Sequence, residues 1–381
     1  MKPKKTILIL CDWFLPGYLA GGPIQSVATL TEHLAENFHF KIITTDRDFK
    51  SKAPYENVKI NEWTRFLGRE VYYVSPENMK PDFILKLIKS VPHDVIYLNS
   101  LFSKLFAIYP LKWKRTGHIK SKIVLAPRGM LRDAALNVKP IKKTLFLIYA
   151  KLVGLFKGVH WQSTLREETD EIRRRIGASV QISEVSNLPV TSKEISFLKK
   201  DKGHLKLCFI ARIVNIKNLN FAIDLLHETN NCTIEFDIFG PKEDEAYWKI
   251  CETNAKFLPD SVLMNYCGVL QPGKIGATLS RYHALLLPTQ TENFGHIIVQ
   301  SLQTGRPVII SDQTPWKDLK DHNVGFDISL KNKYGFVEAV HTLAQMGQAD
   351  FDKMCNDSLS YITEKLNIDK IKSQYINMFS E

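Results

Sequence analysis

The sequence predicts an α/β fold made of two doubly wound parallel sheets. Its 381 residues are too many for one ordinary core and suit two domains of roughly 180 residues each. Short apolar runs alternate with segments of helical spacing, which is the order of strands and crossover helices in parallel sheets. This order restarts after residue 188. We therefore predict a first domain over residues 1–188 and a second over 189–364, with a helix at about 365–381 that packs back on the first.

The first half begins with a strand, a glycine loop and a helix. Lys5–Leu10 is a nearly continuous apolar run, as expected for a parallel strand that is buried on both faces. After the loop, Ile24 to Leu34 carry apolar side chains at helical spacing. The further short strands predicted in this half are Lys41–Thr45, Val95–Leu98 and Lys122–Ala126.

The second half repeats the pattern. Its predicted strands are Leu205–Ala211, Ile234–Phe239, Ala284–Pro288 and Pro307–Ser311. One helix is predicted over Leu219–Leu226, a second from Gly295 to Gly305, and the stretch from about 335 to 381 is predicted to be mostly helical. Open sheets of this kind bind ligands in the crevice outside the carboxyl ends of their strands.

The composition excludes several classes of protein. Hydrophobic residues make up 44% of the chain and charged residues 24%, which is typical of a folded globular protein. No run of about 18 apolar residues exists, so no membrane-spanning helix is predicted, and the first apolar run is too short for a signal peptide. The six cysteines are scattered without metal-ligand spacing, which predicts free thiols in a reducing cytoplasm and no zinc site.

The positive charge is concentrated in the first half. The chain has a formal net charge of +11, but residues 1–190 carry +13 and residues 191–381 carry −2. Residues 112–157 hold twelve lysines and arginines and one acid, Asp133. No nucleic-acid-binding motif accompanies them. Their mixture with aromatic and aliphatic residues predicts an interfacial helix on an anionic membrane; a core helix with a basic outer face and a plain solubility bias are the alternatives.

The segment from Leu287 to Asp312 carries the strongest functional signal. A buried strand ends at Pro288, a polar loop holds Glu292, and a helix begins near Gly295. The start of a helix offers unpaired N–H groups and the positive end of the helix dipole, which favour a phosphate, and a glycine lets the phosphate approach the backbone. Gln300 lies eight positions after Glu292, at most about 12 Å along a helix. The residues predicted to line the ligand here are Asn293, Phe294, Gly295, His296, Ile297 and Gln300.

Two cationic side chains follow the predicted strand Leu205–Ala211. Arg212 stands at the strand end and Lys217 follows five residues later, with little negative charge expected nearby. Arginine binds two phosphate oxygens and lysine acts as a point charge, so the pair suits a diphosphate. Such residues taken alone are more often surface charges, but their position upstream of Glu292 favours a binding site.

Three weaker features lie in the first half. Gly21 and Gly22 follow the first strand, in a loop where glycine either forms a turn or faces a ligand. Arg128 follows a later strand and is predicted either in the ligand crevice or in a structural turn. Asp46-Arg-Asp48 has the spacing of a cation site, but we interpret both carboxylates as turn caps and predict no bound metal.

These motifs resemble those of the retaining glycosyltransferase family 4, whose GT-B fold has two Rossmann-like domains facing each other across a cleft. Glu292-Asn-Phe-Gly295 and Gly305-Arg-Pro-Val-Ile309 match the family's E-x-F-G signature and the strand that follows it. The segment from Arg212 to Lys217 resembles the family's diphosphate-binding segment, with Ala211 where glycine is usual. The second acidic position of the signature is Gln300 in this chain.

The resemblance implies transfer of a sugar from a nucleoside-diphosphate sugar to a hydroxyl group, with retention at the anomeric carbon and without a metal or other cofactor. It implies that Arg212 and Lys217 hold the donor diphosphate and that Glu292 contacts the transferred sugar. Gln300 would contact the nucleotide ribose, because a glutamine keeps hydrogen-bonding capacity for hydroxyl groups.

The resemblance also assigns the first domain to the acceptor and the second to the donor. Gly21 and Gly22 would face the donor phosphates, and Arg128 would lie on the acceptor side. Pro127-Arg-Gly-Met130 is similar to a segment of a bacterial surface-polysaccharide branch, which implies a glycan or polyprenyl-linked acceptor. The predicted location is the cytoplasm, with a peripheral place on the inner face of the plasma membrane if the basic stretch 112–157 docks there. The alternatives are a non-catalytic partner protein that binds sugar nucleotides and a GT-B epimerase.

Overall fold

The computed structural model describes residues 3–137, 140–190 and 198–381. They form two compact units. Unit 1 comprises Met1–Leu188 together with Ile368–Glu381, and unit 2 comprises Pro189–Asn367. Residues 138 and 139, which belong to the basic stretch 112–157, lie outside the described residues.

Unit 1 is built on an eight-stranded sheet. Its strands are β1 (Thr6–Leu10), β2 (His39–Thr45), β3 (Trp63–Phe66), β4 (Arg69–Val74), β5 (Val95–Leu98), β6 (Lys122–Leu125), β7 (Val159–Ser163) and β8 (Ile182–Glu184). They are arranged in the order β3-β4-β2-β1-β5-β6-β7-β8. All neighbouring pairs are parallel except β3 and β4, which form an antiparallel edge.

Seven α-helices accompany this sheet among the described residues of unit 1. They are α1 (Gly22–His33), α2 (Pro81–Ser90), α3 (Tyr109–Arg115), α4 (Asp133–Leu136), α5 (Pro140–Leu152), α6 (Arg166–Arg175) and, at the end of the chain, α13 (Ile368–Ser380). Helix α13 packs on unit 1 because Tyr375 and Phe379 are buried there, the Phe379 ring lying 5.5 Å from that of Tyr97. The side chain of Lys5 also donates to the carbonyl of Ser380 at 2.6 Å.

Unit 2 is built on a six-stranded, fully parallel sheet. Its strands are β9 (His204–Ile210), β10 (Thr233–Phe239), β11 (Val262–Tyr266), β12 (Ala284–Leu287), β13 (Val308–Ser311) and β14 (Gly325–Ile328). Its helices are α7 (Leu219–Leu226), α8 (Glu245–Ala255), α9 (Ile275–Leu279), α10 (His296–Gln303), α11 (Lys333–Gln345) and α12 (Gln348–Lys365).

The strand order confirms the predicted pair of doubly wound sheets. In unit 2 the order is β11-β10-β9-β12-β13-β14, so the chain winds outward from β9 in one direction and then reverses to start again at β12. This reversal is the switch point at which open α/β sheets form a ligand crevice. No helix within the described ranges is long and apolar enough to cross a membrane.

Candidate functional site

The two strongest sequence motifs meet at the switch point of unit 2. Arg212 and Lys217 follow β9, while Glu292 and Gly295 follow β12, and these two strands are parallel neighbours with Leu207 opposite Ala284. Their carboxyl ends therefore open at the same edge of the sheet. The ammonium group of Lys217 donates to a carboxylate oxygen of Glu292, and both side chains are largely buried, with exposures of 15% and 16%.

Backbone and side-chain hydrogen bonds hold the two loops together. The N–H of Gln290 donates to the carbonyl of Ile216 at 2.9 Å, and the hydroxyl of Thr289 donates to the same oxygen at 3.1 Å. Asn218, in the left-handed conformation at φ 62°, donates through its side chain to the carbonyl of Pro288 at 3.0 Å. Lys217, which lies between Ile216 and Asn218, is thus fixed beside Glu292 by its neighbours.

Arg212 has a carboxylate partner that the sequence analysis did not foresee. Its Nη1 donates to an Oε2 of Glu243 at 2.6 Å, and Glu243 lies in the loop after β10. The expectation of little negative charge near the two cations is therefore wrong, because Arg212 and Lys217 each pair with a glutamate. The only sequence signal for Glu243 is its place just after Gly240-Pro241, where the strand adjoining β9 ends.

Gly295 is the N-cap residue of helix α10, in a left-handed conformation that favours glycine. It has φ 76°, and a Cβ added there would lie 2.9 Å from the Cδ1 of Ile298. The residue before it is anchored, since Phe294 is buried and its carbonyl accepts from the indole nitrogen of Trp316 at 2.7 Å. The start of α10 is therefore held rigidly, with Glu292 three residues before Gly295.

The remaining predicted donor residues lie just before α10 and along its first turns. Asn293 and Ile297 are half-buried, and the His296 ring packs edge-on against that of Phe294 at 4.7 Å. Gln300 is buried at 6% exposure. The predicted contact between Gln300 and a ribose stays a prediction, as do the ligand contacts of the other residues in this segment.

The predicted glycine loop of unit 1 joins β1 to α1. Gly21 has φ 70° and precedes Gly22, the first residue of α1. The loop is secured by Asp48, whose carboxylate accepts from the backbone N–H groups of Tyr18 at 2.8 Å and Leu19 at 3.1 Å. Asp48 thus has the capping contacts expected of a structural carboxylate. Among the described residues, no group of three or more His, Cys, Asp or Glu side chains is placed to hold a metal ion.

A buried carboxyl group that the sequence analysis did not single out lies at the start of this loop. Asp12 follows β1, and its carboxylate accepts from the hydroxyl of Ser103 at 2.7 Å. Burial raises the pKa of Asp12 above its ordinary value, and the Ser103 hydrogen bond opposes that shift. Asp12 lies at the switch point of unit 1, between the carboxyl ends of β1 and β5.

Arg128 is enclosed in a hydrogen-bond network within unit 1. Its guanidinium donates to the side chains of Asn99 at 2.7 Å and Tyr97 at 2.6 Å, and also to Asn187. Tyr97 in turn donates to Gln162 at 2.5 Å. Arg128 therefore connects the turn after β6 to the carboxyl end of β5. Through Asn187 it also connects this turn to the chain just before the boundary of unit 1 at Leu188. Its predicted acceptor-side position stays a prediction.

Comparison with known families and structures agrees with this geometry. Residues 190–356 match the family described as glycosyl transferases group 1. This range contains Arg212, Lys217, Glu243, Glu292 and the whole of α10. Over most of unit 2, the chain is thus similar to group 1 glycosyltransferases. No curated protein sequence matches the chain significantly.

Several solved structures are similar over the full length of the chain. Sucrose-phosphate synthase from Thermosynechococcus elongatus aligns with a TM-score of 0.73 at 13% identity, covering 99% of this chain and 98% of that one. HepE of Anabaena, solved with UDP and glucose, aligns with a TM-score of 0.72 at 13% identity, covering 99% and 100%. TarM of S. aureus, solved with UDP and α-GlcNAc-glycerol, gives 0.70 at 11% identity, covering 99% and 100%. The predicted GT-B fold is confirmed.

Proposed function

We propose that the protein is a glycosyltransferase that moves a sugar from a nucleoside-diphosphate sugar to a hydroxyl group of a glycan or lipid-linked acceptor. The observation that carries the proposal is the Lys217–Glu292 ion pair just before α10, with Arg212 at the end of the neighbouring strand β9, at the switch point of unit 2. HepE was solved with UDP-glucose and TarM with UDP and a glycoside of glycerol. Those ligands support a donor and an acceptor of the same chemical classes.

The Lys217–Glu292 ion pair suggests how the donor engages the site. An incoming diphosphate offers Lys217 a stronger partner than one carboxylate, because it carries more negative charge and more acceptor oxygens. As the ammonium group turns to the phosphate, the Glu292 oxygen that it leaves can accept a hydrogen bond from a hydroxyl group of the attached sugar. This change of partners by Lys217 therefore lets the site hold both the diphosphate and the sugar of the donor.

The reaction proposed for this site is substitution with retention. The acceptor oxygen attacks the anomeric carbon on the face from which the diphosphate leaves, within a short-lived ion pair. The bond to the phosphate oxygen breaks with its electron pair, and the acceptor proton passes to that oxygen. Arg212, Lys217 and the N–H groups at the start of α10 stabilise the developing negative charge, so the proposal needs no metal.

A donor screen tests the proposal. The purified protein is titrated with UDP-, GDP- and ADP-sugars, and release of the nucleoside diphosphate is followed with and without glycan acceptors. We expect one nucleotide class to bind and turn over, and Arg212→Ala to lower turnover about tenfold or more. Arg281→Ala, which alters an exposed arginine of the same unit, serves as the control.

Three outcomes would contradict parts of this proposal. Wild-type turnover in Arg212→Ala would show that Arg212 does not act on the donor. Binding of a sugar nucleotide without turnover would favour the non-catalytic partner protein, and conversion of the donor into its epimer would favour the epimerase.

A second part of the proposal concerns an exposed apolar stripe on helix α5. Ile141, Leu145, Ile148 and Leu152 recur at helical spacing and are 76%, 61%, 50% and 82% exposed. The opposite face of the helix is buried through Leu147 and Ala150. A core helix with a merely basic outer face would not have these exposed side chains, so the structure favours the interfacial alternative.

Positive charge borders this stripe. Lys142 and Lys151 are exposed on α5, and Lys157 is exposed just beyond it. Arg115, at the end of α3, donates to the carbonyl of Val153 at 3.3 Å, which brings a further cation to the end of α5. Exposed aliphatic side chains beside cations suit the headgroup region of an anionic bilayer. We therefore propose that α5 docks the protein on the inner face of the plasma membrane, where a polyprenyl-linked acceptor would be available.

Vesicle sedimentation tests this docking. We expect the protein to bind vesicles of phosphatidylcholine and phosphatidylglycerol, and not vesicles of phosphatidylcholine alone. Lys142→Gln with Lys151→Gln should weaken binding about thirtyfold, since each lysine near an anionic surface contributes about 1 kcal/mol. Leu145→Ser with Leu152→Ser should weaken it similarly, whereas Leu263→Ser, at a residue of unit 2 that is 58% exposed, should not.

Equal binding by all variants, or no binding to anionic vesicles at low salt, would remove the membrane from the proposal. A self-association that the α5 leucine substitutions abolish would instead identify the stripe as a contact between copies of the chain.

A further inference from the structure

The loop that carries Glu243 is fastened to the segment that carries Arg212. The N–H of Ala211 donates to the carbonyl of Phe239 at 3.0 Å, that of Ile213 to Pro241 at 2.9 Å, and that of Asp244 to Ile213 at 3.2 Å. These three backbone hydrogen bonds continue the pairing of β9 with β10 beyond the ends of both strands. Residues 239–244 therefore cannot move without moving the backbone around Arg212.

Both neighbours of Glu243 are also held. The ammonium group of Lys242 lies over the rings of Trp248 and Tyr266, at 4.1 Å and 4.2 Å from their centres. The carboxylate of Asp244 caps helix α8 by accepting from the N–H of Tyr247 at 3.0 Å. With its neighbours engaged elsewhere, Glu243 is presented to Arg212 by a rigid loop.

We infer that Glu243 is a positioning residue for the donor site, which orients the Arg212 guanidinium toward the diphosphate. The inference rests on the proposed function. The contact with Glu243 uses one of the five N–H donors of arginine, and the Arg212 side chain is 35% exposed. The carboxylate of Glu243 thus fixes one end of the Arg212 guanidinium. Its remaining N–H groups are oriented before the donor binds, so the arginine side chain loses little further conformational freedom when the diphosphate arrives.

The hydrogen bond from Arg212 to Glu243 favours the donor site by orienting Arg212, whereas the negative charge of Glu243 weakens binding of the diphosphate. A carboxylate beside Arg212 repels a diphosphate, so it weakens the hold of the site on both the donor and the released nucleoside diphosphate. Orientation and charge can therefore be separated by substitution. Glutamine keeps an oxygen that accepts from Arg212 but removes the charge, whereas alanine removes both.

Two substitutions at Glu243 test the inference, with UDP as the first probe for binding and with UDP-sugar turnover as the second. If the donor screen selects another nucleotide, its diphosphate replaces UDP. We expect Glu243→Gln to bind UDP about fivefold more tightly, from the loss of one repulsive charge near the site, and to keep kcat within about threefold. Glu243→Ala should lower kcat about tenfold or more without weakening UDP binding. Glu245→Gln, at an exposed residue two positions along, should match the wild type.

The pattern of the two variants decides the inference. Wild-type kcat in Glu243→Ala would overturn it. Equal losses of kcat, UDP affinity and melting temperature in both variants would also overturn it, since they indicate a purely structural contact. If the wild-type protein binds no nucleoside diphosphate, the proposed function itself fails. If the wild type is active and Glu243→Ala is equally active, only the role of Glu243 fails.

Discussion

Replacing Lys217 with alanine is expected to reduce turnover of the nucleotide sugar about 10²–10³-fold, the cost of removing one preorganised donor from a site of developing negative charge. The effect should be large because the substitution removes a cation from the diphosphate. In the donor-free site it also leaves the Glu292 carboxylate, only 16% exposed, without its ammonium partner. Single-turnover assays at saturating donor would measure the loss in the chemical step.

A second lysine–glutamate pair in unit 2 provides the control for this experiment. Lys333 and Glu228 lie 2.6 Å apart, with side-chain exposures of 38% and 52%. Lys333→Ala removes a charge of the same kind from a solvent-exposed pair, and such pairs contribute little. Comparable losses in Lys217→Ala and Lys333→Ala would mean that net charge, not the site, controls turnover.

Gly240→Ala is expected to destabilise unit 2 by about 3 kcal/mol or more, in the range of severe backbone strain and steric clash. Gly240 has φ 145°, and a Cβ added there would lie 1.8 Å from the carbonyl oxygen of Ala211. Because the contacting atom is backbone, it cannot move aside as a flexible side chain would. The segment after β9 and the loop after β10 must therefore separate, and Arg212 and Glu243, which form an ion pair between them, would be displaced. Thermal unfolding would measure the loss of stability, and UDP titration would measure the effect on donor binding.

Gly203→Ala separates the clash from the backbone strain. Gly203 also has a positive φ, 81°, but nothing lies within 4 Å of an added Cβ. Its substitution should cost only about 1 kcal/mol, the usual price of a left-handed residue with a side chain, and should leave UDP binding unchanged. A melting temperature for Gly240→Ala no lower than that of Gly203→Ala would contradict the close approach of the two loops.

Much of the fold could be predicted because its central strands are apolar on both faces. In β1 and β12 nearly every residue is aliphatic and buried, and in β9 the run from Leu207 to Ile210 is apolar and buried, which is typical of parallel strands covered on both faces. Strand β7 shows where this signal fails. Its residues are Val159-His-Trp-Gln-Ser163, and all are buried. His160 contacts the hydroxyl of Ser183 at 2.8 Å, and Gln162 donates to Tyr375 at 2.8 Å, so distant partners make their burial possible.

Strand periodicity and helix-start chemistry are local properties of the chain, so the sequence was sufficient to predict the two doubly wound sheets and the polar segments that follow β9 and β12. Which charges meet depends on the packing of distant segments. Glu243 lies 31 positions after Arg212, and Glu292 lies 75 positions after Lys217. Parallel pairing of β9 with β10 and with β12 brings these distant residues to one edge of the sheet. Pairing across strands depends on sheet order, which no local pattern contains.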